Sequence, residues 1–502
     1  MSGHFFKHII NFRSFAYSIL IALFLMGFVN IGLSQTINTP FGKNRVQYHD
    51  DFNNWWMYET DHFVSFWYGK GRNIAKSVIQ LAEMDHNDIE HLLGHSMNDK
   101  IRIIIYLDHS DYTQTNIAYW DTKEAGGAGI AQFYDNKVIV YFDGNHQNLR
   151  KQIRAGITRA FLISMFKGIT IQEIYNNLVS SELPKWFVSG LVSYISDPWP
   201  SEVEAELRSL FISEKKKVKK FNSFSGDFPE LAGHSMWNYL AHKYGNQAVS
   251  DFLYLVRIHK DINRAFKYVY GVEGRFIYNE WFQFYDQHYG RYQEEQTKAP
   301  AFLLQMDFDY PVSRVCLDDK AEKLFYVENN FGRVKLKYRK LASGNEKVLL
   351  KYGYRNEHQL TDLHYPLIKY DSTEQKLAVI YEHKDKLYYR SISLTDLSYT
   401  EQLFPESIQR IYSFDFYEPG FLILAGSMDG FSDLHYYDIE KRQFERITDD
   451  YFDKSGLVKV SDQNRSGILL LSNTESERIE PALYDSFPPI SDFDLHFYDP
   501  EN

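Results

Sequence analysis

Short apolar runs after Pro300 recur at one place in a repeating unit, and this repeat constrains the fold more than any other feature. Lys323-Leu-Phe-Tyr-Val-Glu-Asn329, Lys376-Leu-Ala-Val-Ile-Tyr-Glu382 and Gly467-Ile-Leu-Leu-Leu-Ser-Asn473 each follow a polar turn. They belong to units of about 40–50 residues beginning near Val312, Tyr365, Ile411 and Leu457. A second element also repeats: Asp433-Leu-His-Tyr-Tyr-Asp438 is echoed by Asp494-Leu-His-Phe-Tyr-Asp499. Four short strands per unit is the pattern of β-propeller blades. The last unit is expected to be incomplete, with Leu495 to Tyr498 as its third strand and no fourth. A blade short of one strand leaves an unpaired edge; the N-terminal part of the module supplies the missing strand, or the reading frame ends early, or a partner chain completes the blade by strand addition.

The residues before Pro300 follow a different rule. His62 to Tyr68 alternates and is aromatic-rich, as a half-buried strand is, and Ile101–Leu107 and Val138–Phe142 are short apolar strands. Helices are predicted over 72–94, 147–166, 170–178, 184–195, 201–213, 235–258 and 275–293. A small sheet followed by a helical half therefore precedes the repeats. The boundaries are 1–34 for a leader, 35–298 for the mixed domain and 299–502 for the blades.

The leader is a targeting segment. Lys7 and Arg13 precede an apolar core from Ile19 to Val29, and Gly32 and Ser34 stand three and one residues before Gln35. That is the layout of a cleavable secretory signal, so the chain is expected to be exported. With no cysteine near the cut, membrane association is expected through a partner instead of a lipid anchor. The formal net charge is −11, and cleavage removes two more positive charges. Such a surface disfavours nucleic acid. The basic run Lys215-Lys-Lys-Val-Lys-Lys220 is a solvated helix end. One cysteine, Cys316, excludes intrachain disulfides and thiolate metal clusters.

Five segments resemble two known families. Phe41-Gly-Lys-Asn-Arg-Val-Gln-Tyr48, Asp111-Tyr-Thr-Gln-Thr-Asn116 and Leu183-Pro-Lys-Trp-Phe-Val-Ser-Gly-Leu-Val-Ser-Tyr194 resemble the peptidase MA-like gluzincins. Gly426-Ser-Met-Asp-Gly-Phe-Ser-Asp-Leu-His-Tyr-Tyr-Asp438 and Arg446-Ile-Thr-Asp-Asp450 resemble TolB-like blades, which accompany such domains in Bacteroidota. The fold class implied is an α+β thermolysin-like (gluzincin) domain followed by an all-β, incomplete β-propeller.

That resemblance implies a zinc site, and the residues deny it. A gluzincin carries HExxH on one helix, two histidines binding zinc and a glutamate activating water, with a third ligand from a later glutamate. Aligned on Leu149, Ile153, Ile157 and Phe161, the motif falls on Ala155-Gly-Ile-Thr-Arg159. Ala155 and Arg159 replace the histidines, and Gly156 replaces the glutamate. On the later helix, Ser189 and Ser193 stand where the family has carboxylates. A permanent guanidinium at Arg159 repels a cation. No catalytic residue, metal or cofactor is therefore expected.

Other constellations are weaker. His86, Glu90, His91 and His95 lie on or beside one helix, but their spacing does not let three ligands converge, and they are expected at the surface. Gly233-His-Ser-Met-Trp237 is half a nucleophile elbow, and Ser235 fits a helix N-cap better. The expected function is a non-catalytic pseudopeptidase that binds or scaffolds protein in the bacterial envelope. It would sit in the periplasm, at the outer membrane or outside the cell. Arg159 and Ser189 are its candidate binding residues. The alternatives are a hydrolase with a rearranged active site, or a glycan-binding envelope protein suggested by the abundance of Tyr and Phe.

Overall fold

The computed structural model describes residues 54–113, 132–134, 137–166, 183–295, 306–355, 362–461, 466–474 and 492–499. The leader, the Phe41–Tyr48 motif and the helix expected at 170–178 lie outside these residues. Among the described residues, no helix is long and apolar enough to cross a membrane.

The first domain opens with five strands: β1 (Trp55–Glu59), β2 (Phe63–Tyr68), β3 (Ile101–Tyr106), β4 (Gln132–Tyr134) and β5 (Lys137–Tyr141). They form one mixed sheet in the order β1-β2-β3-β5-β4, with β2, β3 and β5 parallel and the outer strands antiparallel. Eleven described helices interleave with and follow it: α1 (Arg72–Leu93), α2 (His109–Thr113), α3 (His146–Met165), α4 (Lys185–Ser196), α5 (Ser201–Ser213), α6 (Lys215–Val218), α7 (Phe221–Asp227), α8 (Pro229–Tyr244), α9 (Asn246–His259), α10 (Ile262–Tyr270) and α11 (Gly274–Glu295). The segment expected as one helix over 235–258 is two. Gly245, at φ 84, breaks it between α8 and α9, because only glycine enters that backbone region without strain.

Helices α1 and α3 are locked together by charge. Asp85 is buried, and it accepts Nε and Nη2 of Arg150 at 2.8 and 2.6 Å and Nη1 of Arg154 at 2.6 Å. Two guanidinium groups offset the desolvation of one carboxylate. Gln152 uses its side-chain amide as a strand mimic, accepting from Tyr141 N–H at 3.0 Å and donating to Tyr141 C=O at 2.9 Å. The end of β5 is thereby satisfied from α3.

Four antiparallel sheets follow, arranged like propeller blades. Blade one is β6–β9 (Val312–Leu317, Lys323–Asn330, Arg333–Lys340, Glu346–Tyr352), and blade two is β10–β13 (Leu367–Asp371, Lys376–Glu382, Leu387–Ser393, Tyr399–Leu403). Blade three is β14–β17 (Arg410–Glu418, Phe421–Met428, Phe431–Asp438, Gln443–Arg446), and blade four is β18–β20 (Lys454–Ser461, Ser466–Ser472, Asp494–Tyr498). Their first strands meet in sequence: β6 with β10, β10 with β14, and β14 with β18.

Blade packing explains the continuous apolar runs. In β11, Leu377, Val379 and Tyr381 face Phe325 and Val327 of blade one, while Ala378 and Ile380 face Leu422 and Leu424 of blade three. In β15, Ile423 and Ala425 turn to Ile468 and Leu470 of blade four. A strand buried on both faces has no polar side to alternate. The outer face of blade four has no such cover among the described residues: Leu471 is 41% exposed and Leu495 67%.

The two parts meet on a polar interface. Asp453, which precedes β18, accepts the His146 backbone N–H at 2.8 Å and bonds His146 Nδ1 at 2.8 Å, and both side chains are 2% exposed. The turn Asp429-Gly430 has φ of 52 and 86, as a two-residue hairpin of type I′ requires. It rests on α1, where Asn73 Nδ2 donates to Asp429 C=O at 3.1 Å. Acids also gather at this seam. Carboxylate oxygens of Asp108, Asp111 and Asp385 lie within 4.8 Å of one another, and the Tyr68 hydroxyl donates to Asp111.

Two predictions follow from the seam. Removing Asp453 leaves the buried His146 backbone N–H and ring nitrogen without their acceptor, so Asp453→Ala should lower unfolding free energy by about 1–3 kcal/mol in urea titrations. Glu382 is the second case. Burial raises its carboxyl from 4.5 to about 7, with Asp362 and Asp385 adding to the rise and Ser110 and Arg410 opposing it. The folded state holds this proton longer than the unfolded state, so stability falls as pH rises from about 4.5 to about 7. Glu382→Gln should flatten that decline in melting temperature measured against pH.

Candidate functional site

The five positions singled out by the sequence lie on two packed helices, α3 and α4. Asn145 caps α3, its side chain accepting from the N–H groups of Gln147 and Asn148 at 2.8 and 3.1 Å. The apolar stripe of Leu149, Ile153, Ile157 and Phe161 is buried, as its spacing requires. Ala155 and Gly156 are buried beside that stripe, and Arg159 is half-buried. Arg154 ties the helices together, its Nε donating to Ile195 C=O at 2.8 Å.

Helix α4 crosses α8 at two glycines. A Cβ on Gly233 would stand 2.7 Å from Gly190 Cα and overlap the Trp186 carbonyl, and a Cβ on Gly190 would overlap the Gly233 backbone. Contact between bare backbones is what brings the polar residues of α4 and α8 together. The fit is fixed on one side by Trp237, whose Nε1 donates to Phe187 C=O at 3.0 Å.

That crossing supplies two residues that the sequence reading missed. Ser193 Oγ lies 2.9 Å from His234 Nδ1, and His234 Nε2 lies 2.8 Å from Pro198 C=O. A carbonyl only accepts, so Nε2 carries the hydrogen and Nδ1 accepts from the Ser193 hydroxyl. Burial holds the imidazole down at about 4, so it is neutral at physiological pH. One turn earlier, burial raises Glu230, while the neighbouring Ser193 hydroxyl and the charge of Arg159 pull it back. Arg159, Ser193, Glu230 and His234 thus share one locality. Ser189 points elsewhere, its hydroxyl donating to Lys185 C=O at 2.8 Å within its own helix.

A Glu and a His four apart on α8 were legible as a same-face pair, but their registry with α4 depends on the glycine crossing. Three further readings change. Ser235 is not an N-cap: α8 begins at Pro229, and Ser235 is buried inside it, donating to Ala232 C=O at 3.0 Å and accepting from Trp281 Nε1 at 3.2 Å. His86 is not a surface histidine but is buried, stacked on His62 with ring centroids 3.9 Å apart. His95 lies beyond α1, which ends in the left-handed Gly94, and its ring meets Ser164 Oγ at 3.1 Å.

No family model matches the sequence, and no curated protein matches it. Solved structures are similar only at the level of part of the chain. TolB from Acinetobacter baumannii aligns at 14% identity and TM-score 0.27 over 37% of this chain and 40% of that one. Oligogalacturonate lyase in complex with manganese aligns at 14% identity and TM-score 0.25 over 37% and 50%. The tricorn protease aligns at 14% identity and TM-score 0.24 over 34% and 16%. Each alignment spans half or less of the solved chain.

The glycine crossing makes a testable demand. Gly233→Ala should cost about 3 kcal/mol or more, because the added methyl meets backbone that cannot yield. Thermal unfolding followed by circular dichroism reads this directly.

Proposed function

We propose that this chain is a non-catalytic pseudopeptidase, a protein-binding or scaffolding component of a bacterial cell envelope complex, exported and held near the membrane by its partner. The observation that carries the scaffold reading is apolar surface that no described residue covers at the two ends of the blade series. Val315, Leu317 and Val348 of blade one are exposed, as are Leu471, Leu495 and Phe497 of blade four. The central strands of the interior blades bury both faces against their neighbours. Strand β20 adds an edge whose backbone groups can pair with an incoming strand. A partner supplying one strand, or further blade-like sheets, would cover both.

The α3–α4–α8 locality supports the non-catalytic half of the reading. Its hydroxyls are engaged with the chain's own acceptors, and the positions where the gluzincin resemblance calls for ligands hold Ala155, Gly156, Arg159, Ser189 and Ser193. In this reading Arg159 and Ser189 contact a polypeptide partner, the guanidinium taking a carboxylate.

One observation favours a hydrolase with a rearranged site: Ser193 donates to a neutral imidazole, as a nucleophile does to its base. An imidazole held at about 4 is a weak base at neutral pH, which ranks this reading second. Labelling of Ser193 by a fluorophosphonate probe would promote it.

The test is recovery of the tagged protein from its native envelope at natural expression, with mass spectrometry of what accompanies it. A stoichiometric partner lost with Leu471→Asp or Phe497→Asp is the expected result. Recovery as a monodisperse monomer would count against the scaffold. Partner recovery unchanged by Arg159→Ala would remove Arg159 from the contact.

A further inference from the structure

The seam between the helical domain and the blades encloses a polar cavity of about 320 Å³, bounded by the first turn of α3 and by the inner strands β6, β14 and β18. Its charged lining is Asp143, Arg314, Arg410, Asp453 and Lys454. Most of these charges are already matched. Arg410 Nη2 meets Asp362 at 2.9 Å, Lys454 pairs with Asp450, and Asp453 holds His146.

Arg314 is different. Its Nη1 donates to Ser313 C=O at 3.0 Å and its Nη2 to His364 C=O at 3.1 Å, and it makes no salt bridge among the described residues. Two carbonyls fix the guanidinium plane without neutralising it, and the nearby Asp362, itself bonded to Arg410, offsets its charge only at a distance. Burial lowers its pKa from the ordinary value, with the charge of Asp362 opposing, as for a cation placed where water is scarce. The ring of His364, also on the wall, is held neutral at about 4, with burial the main cause and the charge of Arg410 adding to it. It therefore supplies no competing charge. Asp143 accepts from Asn145 N–H at 3.1 Å and from Asn148 Nδ2 at 3.0 Å, and it too lacks an ion pair among the described residues. Burial raises its carboxyl, while the charge of Arg410 and the hydrogen bonds from Asn148 and Asn145 oppose the rise.

We infer that this cavity is a binding site for a small carboxylate, which Arg314 grips through its planar fork while Asn145, Asn148 and Ser455 offer polar contacts around it. The carboxylate chemistry follows from the bidentate match between guanidinium and carboxylate. The volume, at about 30 Å³ per water, holds about ten waters and therefore a small acid or the last residue or two of a peptide. Because the walls come from both domains, the bound acid would stiffen their junction. The inference stands apart from the scaffold reading and uses none of its residues.

The experiment is calorimetric titration and thermal melting of the full chain with succinate, L-glutamate, the dipeptide Gly-Gly and its C-terminal amide, with phosphate and chloride as controls. A carboxylate should raise the melting temperature in a saturable way, and Arg314→Met should weaken its binding by about ten-fold or more. Loss of a charge that has no ion-pair partner should leave the melting temperature of the free protein unchanged or higher. If that variant fails to fold, Arg314→Lys keeps the charge without the fork and should still bind several-fold more weakly. Binding of Gly-Gly but not its amide would identify a peptide C-terminus as the source, whereas succinate or glutamate alone would identify a free acid. Absence of any carboxylate-dependent shift, equal binding by phosphate, or undiminished binding by Arg314→Met or Arg314→Lys would overturn the inference.

Discussion

The carboxylate of Asp453 at the start of α3 is the interaction on which the junction of the two domains turns. A helix N-terminus exposes backbone N–H groups and the positive end of the dipole. Here Asn145 takes two of those N–H groups, and Asp453, delivered by the blades, takes the His146 N–H and its ring. One buried acid therefore caps a helix of one domain and fixes the entry of the last blade of the other. Arg410, Asp362 and the acids around Glu382 then have to be accommodated at the same seam. The result is an interface rich in charge, where geometry and protonation matter more than apolar area.

Within the helical domain a second constraint does comparable work. Gly190 and Gly233 let α4 and α8 touch backbone to backbone, and every polar contact of the candidate site inherits its geometry from that crossing. Ser193 reaches His234 and the Glu230 carboxyl because the helices are this close. Arg159 enters the same locality from α3 and gives Glu230 a compensating charge. The neutral His234 is held by Ser193 and the Pro198 carbonyl, and the Arg159 charge offsets that of Glu230.

Some of this was legible before any coordinates. The ends of α3, α4, α5 and α11 fall within about two residues of where periodicity and caps put them, and the blade strands sit on the repeated runs. Helices α7 and α10 were missed. They are short, and Phe221–Asp227 contains Ser, Gly and Asp, so local propensity argues for a loop until Phe221 and Phe224 are buried. Ser235 was misplaced because Pro229, a good first-turn residue, starts the helix six residues earlier. His86 looked solvent-facing because its neighbours are polar, and its stacking on His62 comes from a strand 24 residues away.

What the sequence by itself determined is the alternation between helical and strand periodicity, the blade repeat, and the absence of ligating side chains at Ala155, Gly156, Arg159, Ser189 and Ser193. These are local properties, written in spacing and residue type. Only the tertiary structure decided that Asp453 would cap α3 from 307 residues away, that Glu230 and His234 would face Ser193, and that Arg314 would line a cavity with its guanidinium held by two backbone carbonyls. Contacts of that range carry no period and no composition signal. They exist only once burial has removed water and left each charge to whatever partner the fold supplies.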